Sequence, residues 1–291
     1  MIKPFLKWVG GKRQLIKEIR ARLPENYSEM LHVEPFIGGG SVLFSLQPDR
    51  AYVCDYNKDL IATYQEICSR PERVIEELMS MKNTSEDFYQ KRREYNRWLE
   101  YRGVMFTSFP YLAAMFIYLN KTGFNGMYRI NKKGLYNVPW NKNPHEDMSW
   151  FINEDDIMDT SEYLSKHVTI GMPSSYSNIF DRVNEPTSSV RYPQFWYLDP
   201  PYAPLDKDLE RGNFDQYTTF PGWAYDEQIK LRDFCVKLDQ NGYFFMLSNS
   251  SCSLIHELYK MFKIEEVDAR RSISAKASTR GGCKEVIVTN Y

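Results

Sequence analysis

Four short apolar runs, each followed by small or polar residues, constrain the possible folds of this chain more than any other feature. The runs are His32-Val33, Ala51–Cys54, Phe195–Leu198 and Tyr243–Leu247. Their length and composition predict buried strands. Between the last two runs, apolar side chains recur at helical spacing over Asp226–Leu238. Because strands alternate with helices, the pattern predicts a doubly wound α/β sheet whose ligands bind beyond the carboxyl ends of the strands.

The end of the chain predicts one departure from a purely parallel sheet. Residues 285–290 form a further apolar run, which we expect to pair with residues 262–267 as a hairpin. The expected sheet is therefore mostly parallel, with one antiparallel strand.

The middle of the chain has the character of an insertion between two halves of a sheet. Residues 58–120 read as successive helices. Residues 120–140 are rich in Gly, Asn, aromatic and basic side chains and contain a hairpin-like Lys-Lys-Gly. We predict a catalytic domain and an inserted helical and hairpin domain for target recognition. The catalytic domain comprises residues 1–58 and 164–291, and the insertion residues 59–163.

A Pro-Pro pair follows the third apolar run, in the sequence Asp199-Pro200-Pro201-Tyr202. Prolines have no N–H to extend a ladder, and each restricts the residue before it, so the strand should end at Asp199. A stiff segment with a carboxylate and an aromatic ring would then lie at the ligand-binding edge of the sheet. The alternative is an ordinary Pro-Pro turn that carries a solvated aspartate.

Glycines near the first strand match no phosphate-binding motif, since Leu6 and Arg13 stand where a P-loop needs Gly and Ser or Thr. Residues 37–41, Ile-Gly-Gly-Gly-Ser, permit a tight turn close to a ligand, although they are not the dinucleotide fingerprint. Asp55 ends the next strand, the position where an acid binds ribose hydroxyls in such folds. The alternative is that Asp55 only begins an exposed turn.

The distribution of charge is more informative than the net charge of −1. Residues 121–145 carry five Lys or Arg and no acid, whereas residues 146–162 carry seven acids and no base. This segregation predicts a basic cleft for nucleic acid, although solvated helix faces would give the same counts.

Five widely spaced cysteines without a Cys-x-x-Cys pair argue against a disulfide framework and a zinc site, so we expect no metal. No apolar run reaches the length of a membrane span, and the N-terminus is too charged for a signal peptide. We therefore expect a cytoplasmic protein without a membrane partner.

These segments resemble, in their order along the chain, the motifs of the Dam-type DNA adenine-N6 methyltransferases of the alpha group. The matching segments are FLKWVGGK (5–12), EPFIGGGS (34–41), CDYN (54–57), LNKTGFNGMYRIN (119–131), YNVP (136–139), DPPYAPL (199–205), LSNS (247–250) and RRSIS with TR (270–274, 279–280). The resemblance implies a Rossmann-like methyltransferase sheet, S-adenosyl-L-methionine as methyl donor, double-stranded DNA as partner and a functional monomer. It also implies base flipping and methylation at GATC or a relaxed variant.

The resemblance assigns roles to individual residues. It implies that Asp199 and the Pro200 carbonyl accept the amine hydrogens of adenine, while Tyr202 stacks on the base. The implied cofactor-binding residues are Trp8, Lys12, Phe36, Gly38, Gly40, Asp55 and Asp199. The implied DNA-binding residues are Lys7, Phe124, Asn125, Met127, Arg129, Asn131 and Pro139. Of these, Phe124 corresponds to the aromatic residue that wedges into the duplex.

Two segments depart from the family pattern. Residues 171–176, Gly-Met-Pro-Ser-Ser-Tyr, stand where the family has an acid near the cofactor adenine. Residues 140–143, Trp-Asn-Lys-Asn, stand where it has an aromatic residue and then Gly-Arg, which predicts relaxed reading of an outer base pair. Two other functions stay open: a methyltransferase for RNA or a protein glutamine, and a catalytically silent nucleic-acid-binding subunit.

Overall fold

The computed structural model describes residues 2–101, 108–143, 145–185, 192–205, 225–269 and 283–291. Within these ranges the strands are β1 (Leu31–Glu34), β2 (Ala51–Val53), β3 (Val168–Ile170), β4 (Gln194–Leu198), β5 (Phe244–Ser250), β6 (Lys263–Ala269) and β7 (Cys283–Thr289). They form one sheet in the order β3-β2-β1-β4-β5-β7-β6. β4 runs parallel to β1 and β5, and β2 to β3, whereas β7 is antiparallel to β5 and β6. The predicted mixed α/β sheet with its terminal hairpin is confirmed.

The helices over the same ranges are α1 (Ile16–Ala21), α2 (Ser41–Leu46), α3 (Lys58–Ser69), α4 (Pro71–Met79), α5 (Ser85–Tyr101), α6 (Pro110–Thr122), α7 (Glu154–His167), α8 (Tyr176–Val183), α9 (Tyr225–Gln240) and α10 (Ser253–Leu258). The predicted succession of helices over residues 58–120 is confirmed as α3 to α6, and the predicted helix Asp226–Leu238 as α9. Short 3-10 helices cover Tyr27–Glu29, Phe124–Gly126 and Met148–Trp150. None of the helices described here has both the length and the apolar composition that a membrane crossing requires.

The chain forms two compact units, of which the first comprises residues 1–12 and 37–175. Helices α3 to α7 supply most of its core. The sequence of helix α6 is apolar on nearly all sides, which predicts a buried helix. In the structure it is buried continuously from Ala113 to Asn120. Because α6 is enclosed by other helices, it anchors the loop that follows it, beginning at Gly123.

The second unit comprises residues 13–36 and 176–291. Strand β4 lies between β1 and β5 and is buried along its whole length. Its Trp196 packs edge-to-face on Phe234 of α9, with ring centroids 5.5 Å apart. The strand ends at Leu198, one residue before the end at Asp199 that the two following prolines predict.

Strand β5 is longer than its sequence predicts. The polar pair Ser248-Asn249 should follow the strand, but the strand continues to Ser250, so this expectation is wrong. The reason is β7, which pairs with β5 through these polar residues and places Glu285 opposite Ser250. Because Ser248 and Asn249 are fully buried, their side chains must find hydrogen-bond partners inside the protein.

Candidate active site

A tight glycine turn follows β1 and begins the functional region of the first unit. Gly40 donates its N–H to Ile37 O at 2.8 Å, and both Gly38 and Gly40 have positive φ. A Cβ at Gly38 would lie 2.8 Å from Cδ1 of Trp8, so only glycine lets the indole pack against this turn. The structure therefore brings Trp8 and the glycine turn together, as expected for one site.

Asp55, which follows β2, is held against the same turn. Its Oδ2 accepts the N–H of Gly38 at 3.1 Å, and its Oδ1 accepts the N–H of Asn57 at 2.9 Å. Burial raises the pKa of the Asp55 carboxyl to about 6, although these backbone N–H groups favour the charged form. An ionised carboxylate can accept further hydrogen bonds, so Asp55 retains capacity for hydroxyl donors.

Two further residues line this part of the first unit. Lys12 is buried, and its Nζ donates to Gly10 O at 2.6 Å. In the segment that lacks the expected acid, buried Ser174 donates its N–H to Asp55 O at 3.2 Å. The backbone of Ser174 thus lies beside that of Asp55.

The segment around Lys7 is tied to the loop after α6 by one buried amide. Asn120 accepts the N–H of Lys7 at 2.9 Å and donates to Lys7 O at 2.7 Å and to Gly126 O at 2.8 Å. Trp8 stacks on Tyr128 with a centroid distance of 6.0 Å and an interplanar angle of 16°. Sequence reasoning missed Asn120, whose only signal was a polar residue at the end of an apolar helix.

The recognition segment predicted within the insertion is the stretch of residues 120–140. Phe124 donates its N–H to Pro139 O at 2.9 Å, which places these two exposed residues side by side. Phe124 is 48% exposed. Met127 is half-buried against the core, and Asn125 has a left-handed φ of 55°. An exposed aromatic residue therefore lies in a hydrogen-bonded turn.

The hairpin predicted around Lys-Lys-Gly is present, with Ile130 bridged to Tyr136. Arg129 donates from Nε to Asn137 Oδ1 at 2.8 Å, which leaves the Nη1 end of its exposed guanidinium without a partner among the described residues. The side-chain oxygen of Asn131 accepts the N–H groups of Lys133 and Leu135 and so closes the turn. The side chain of Asn131 can offer a ligand only its amide hydrogens, because its oxygen is already engaged.

In the second unit, buried polar side chains of β5 and α9 fix the segment after β4. Asn249 Oδ1 accepts the N–H of Ala203 at 3.0 Å, and Ser250 Oγ donates to Ala203 O at 2.6 Å. Gln228 donates to Pro201 O at 3.0 Å and accepts from Asn249 Nδ2 at 3.2 Å. Asn249 and Gln228 each bind more than one partner and so restrain the backbone after the two prolines.

The carbonyl of Pro200 stands apart from this network. Pro200 is buried, yet its oxygen accepts no hydrogen bond within the described part of the chain. The neighbouring carbonyls of Pro201 and Ala203 are both engaged. Asp199, half-buried, directly precedes it. A carboxylate and a free carbonyl on one stiff segment can accept two hydrogens from a single donor group.

Tyr202 and Phe36 supply the aromatic surfaces of this unit. The hydroxyl of Tyr202 donates to Oε2 of Glu285 at 2.6 Å. Phe36 packs on Tyr176, with ring centroids 5.6 Å apart. Sequence reasoning found both rings but missed Gln228, which holds the carbonyl of Pro201, and Glu285, which binds the Tyr202 hydroxyl. The described residues contain no cluster of three His, Cys, Asp or Glu side chains that could hold a metal ion.

Two parts of the sequence pattern lie outside this description. The Arg-Arg-Ser-Ile-Ser and Thr-Arg segments fall at residues 270–274 and 279–280, outside the described residues.

Comparison with known proteins extends these observations. Residues 8–273 match the family of D12 class N6 adenine-specific DNA methyltransferases. The chain is 38% identical over 293 residues to the type II methyltransferase M1.LlaDCHI of Lactococcus lactis subsp. cremoris, with 100% of this chain and 96% of that protein covered. It is 36% identical over 310 residues to the type II methyltransferase M.MjaIII of Methanocaldococcus jannaschii, with 100% and 99% covered. It is 30% identical over 290 residues to the DNA adenine methylase of Escherichia coli strain K12, with 98% and 94% covered.

Proposed function

The chain belongs to the D12 class N6 adenine-specific DNA methyltransferases, and we propose that it transfers the methyl group of S-adenosyl-L-methionine to N6 of adenine in double-stranded DNA, at GATC or a relaxed form of that site. The observation that carries the proposal is the carbonyl of Pro200. It accepts no hydrogen bond from the described residues, whereas the carbonyls of Pro201 and Ala203 both accept one. Membership of a family of enzymes sets aside the silent binding subunit.

The chemistry assigned to the second unit follows from the weakness of the adenine amine as a nucleophile. Its lone pair is delocalised into the ring. Asp199 and the Pro200 carbonyl would each accept one amine hydrogen, which localises the lone pair and orients it. The transfer is then direct and in line, without a covalent enzyme intermediate, so the chain contributes positioning and fixed acceptors.

The residues of the first unit fit the methyl donor. When bound, S-adenosyl-L-methionine supplies an electrophilic methyl group on a sulfonium sulfur. Asp55 has free acceptor capacity for ribose hydroxyls, and the glycine turn at Gly38 and Gly40 leaves backbone open to a ligand. Trp8 and Lys12 complete the proposed set in this unit, and Phe36 of the second unit is also proposed to bind the cofactor.

The recognition segment would extract and hold the target base. An adenine inside a duplex is out of reach of any active site, so it must be flipped out. Phe124, exposed on a rigid turn beside Pro139, is the proposed wedge that fills the space left behind. Tyr202 is the proposed stacking surface for the flipped base. Lys7, Asn125 and Asn131 are proposed to contact the DNA around it.

The proposed sequence preference depends on the hairpin. The free end of the Arg129 guanidinium suits the O6 and N7 acceptors of a guanine in the major groove. Met127 and Pro139 offer apolar contact to the methyl group of a thymine. These contacts cover the inner part and one outer pair of GATC. The other outer base pair would be read by residues 140–143, where the family pattern is absent. We therefore expect the enzyme to accept any base at that position and to methylate NATC sites as well as GATC.

Sequencing of DNA from cells that express the protein, with detection of modified bases, tests this function. We expect N6-methyladenine at GATC or NATC sites in cells with the wild-type chain and none with Asp199→Ala. A purified assay on duplex DNA, ribosomal RNA and a release factor separates DNA from the other acceptors. Methylation of RNA or of the release factor in preference to DNA would overturn the proposal. We further propose that the enzyme acts as a monomer in the cytoplasm.

A further inference from the structure

The hydroxyl of Tyr202 has no task in the proposed chemistry. Stacking on a base uses the face of an aromatic ring, and phenylalanine has the same face. Nevertheless the hydroxyl is engaged, since it donates to Oε2 of Glu285 at 2.6 Å. This length is typical of a strong hydrogen bond from a hydroxyl to an ionised carboxylate.

The direction of this hydrogen bond follows from the electrostatics. Burial, with smaller effects from the nearby charges of Asp199 and Glu285, raises the pKa of the Tyr202 hydroxyl well above its ordinary value. The hydroxyl therefore keeps its proton and acts as the donor. Glu285 is the acceptor, and its carboxylate lies at the hydroxyl end of the Tyr202 ring.

Glu285 is itself held on a rigid support. It lies on β7 opposite Ser250 of β5, and Ser250 holds the carbonyl of Ala203. The two strands thus fix both ends of the segment that begins with Tyr202. Within the described residues, the Tyr202 hydroxyl is the sole hydrogen-bond partner of the Glu285 carboxylate, and no cation lies within ion-pair distance. A carboxylate with a purely structural task would be expected to have a cation or several donors around it.

We infer that Glu285 is a positioning residue for the target adenine, which acts by setting the orientation of the Tyr202 ring on which the flipped base stacks. The inference rests on the proposed function, since it needs a base at Tyr202. Rotation or tilt of the ring would move the amine of the base away from Asp199 and Pro200. A displacement of about 1 Å in such a site costs roughly a hundredfold in rate.

A double-mutant cycle tests this role. The variants are Glu285→Ala, Glu285→Gln, Tyr202→Phe and the double variant of Glu285→Ala with Tyr202→Phe. We expect Glu285→Ala and Tyr202→Phe each to lower the single-turnover rate roughly tenfold to hundredfold. The double variant should be no slower than the slower single variant, because both changes remove one interaction. Glu285→Gln keeps an acceptor oxygen and should retain more activity than Glu285→Ala.

Glu266→Ala is the matched control. Glu266 lies on the neighbouring strand β6, where it is exposed and binds Ser251 and Lys284, away from the proposed machinery. We expect this variant to keep the wild-type rate. It separates the particular task of Glu285 from the general effect of removing an acid from the hairpin.

A measurement without turnover complements the rates. Duplex DNA with 2-aminopurine at the target position becomes fluorescent when the base leaves the stack and is quenched when it stacks on an aromatic ring. We expect Glu285→Ala to raise the fluorescence of the bound duplex, without a change in DNA affinity. A merely structural role would leave this signal unchanged.

Several outcomes would overturn the inference. They are wild-type rates in both single variants, additive losses in the double variant, or a slow Glu285→Ala beside a fast Tyr202→Phe. If Glu285→Ala does not fold, Glu285→Gln and Tyr202→Phe still report on the hydrogen bond. A wild-type protein that methylates no DNA would refute the proposed function instead, so the two failures are distinguishable.

Discussion

Lowering the pH from 7 to 5 should weaken cofactor binding about tenfold through the protonation of one side chain, Asp55. Burial raises its pKa to about 6. With that pKa, about 90% of the carboxyl is ionised at pH 7 and about 9% at pH 5. If only the ionised form accepts the ribose hydroxyls, the apparent affinity changes by the ratio of these fractions.

The sign of the effect follows from the same linkage. A cofactor that donates hydrogen bonds to Asp55 favours its charged form and so lowers its pKa on binding. Binding at pH 6 should therefore release about half a proton. The amino group of the ligand titrates above pH 7, at about 7.7 to 8.0 in model compounds, so this range isolates the carboxyl. The buried His32 has its pKa lowered to about 3 and does not interfere.

Calorimetry with S-adenosylhomocysteine measures both quantities, if the titration is repeated in buffers of different ionisation enthalpy. Asp55→Asn should lose the pH dependence and bind more weakly at pH 7 by about 1 to 3 kcal/mol, the scale of hydrogen bonds to a charged acceptor. Asp155→Asn, an exposed acid in the same unit, should behave as wild type. A wild-type affinity that is constant between pH 5 and 7, or an equal slope in Asp55→Asn, would refute the reasoning.

Three other changes probe the remaining parts of the site. Asp199→Ala should lower the rate of methyl transfer by roughly a hundredfold to a thousandfold, the usual loss of one preorganised acceptor, while the cofactor affinity measured by calorimetry should fall much less; near wild-type turnover would remove Asp199 from the chemistry. Arg129→Ala should lose about 1 to 3 kcal/mol of discrimination at a single base pair in a randomised-site library, whereas a uniform loss at all sites would mean that Arg129 contacts phosphate. Gly40→Ala should lower both the thermal unfolding midpoint and the cofactor affinity. The reason is that φ is positive at Gly40 and that the new Cβ would lie 2.5 Å from the Phe44 ring and 2.6 Å from Tyr64 Oη. An unchanged midpoint would show that the turn can relax.

The elements that the sequence predicts well are those with local signals. Two prolines end β4 at Leu198, since a residue without an N–H cannot extend a ladder. Helix α9 follows from apolar spacing, and the terminal hairpin from the apolar run at the end of the chain. For the end of β4 and for α9, the deciding physics acts between residues a few positions apart. The same holds for the hairpin turn at Asn131, which the Lys-Lys-Gly sequence predicts.

The features that the sequence does not predict depend on partners far along the chain. Strand β5 continues through buried polar residues because β7 returns beside it, about 40 residues later in the chain. Asn120 is a donor and acceptor for Lys7, 113 positions away. Glu285 meets Tyr202 across 83 positions. A polar residue in an apolar run indicates that it needs a hydrogen-bond partner once it is buried. The sequence does not indicate which distant residue will be that partner.

The rigidity of the Asp-Pro-Pro-Tyr segment cannot come from its prolines alone. A proline ring fixes φ but leaves ψ free, and ψ determines where the carbonyl oxygen points. At Pro201 the direction is set by Gln228, which holds its carbonyl at 3.0 Å. At Ala203, Ser250 and Asn249 hold both the carbonyl and the N–H. Fixing the backbone immediately after Pro200 limits how far the plane of its own peptide can turn, because that peptide is shared with Pro201. The orientation of the proposed catalytic carbonyl therefore depends on β5 and α9 as much as on the Asp-Pro-Pro-Tyr motif. Replacing Gln228 should lower the rate of methyl transfer, although Gln228 is not proposed to contact the adenine or the cofactor.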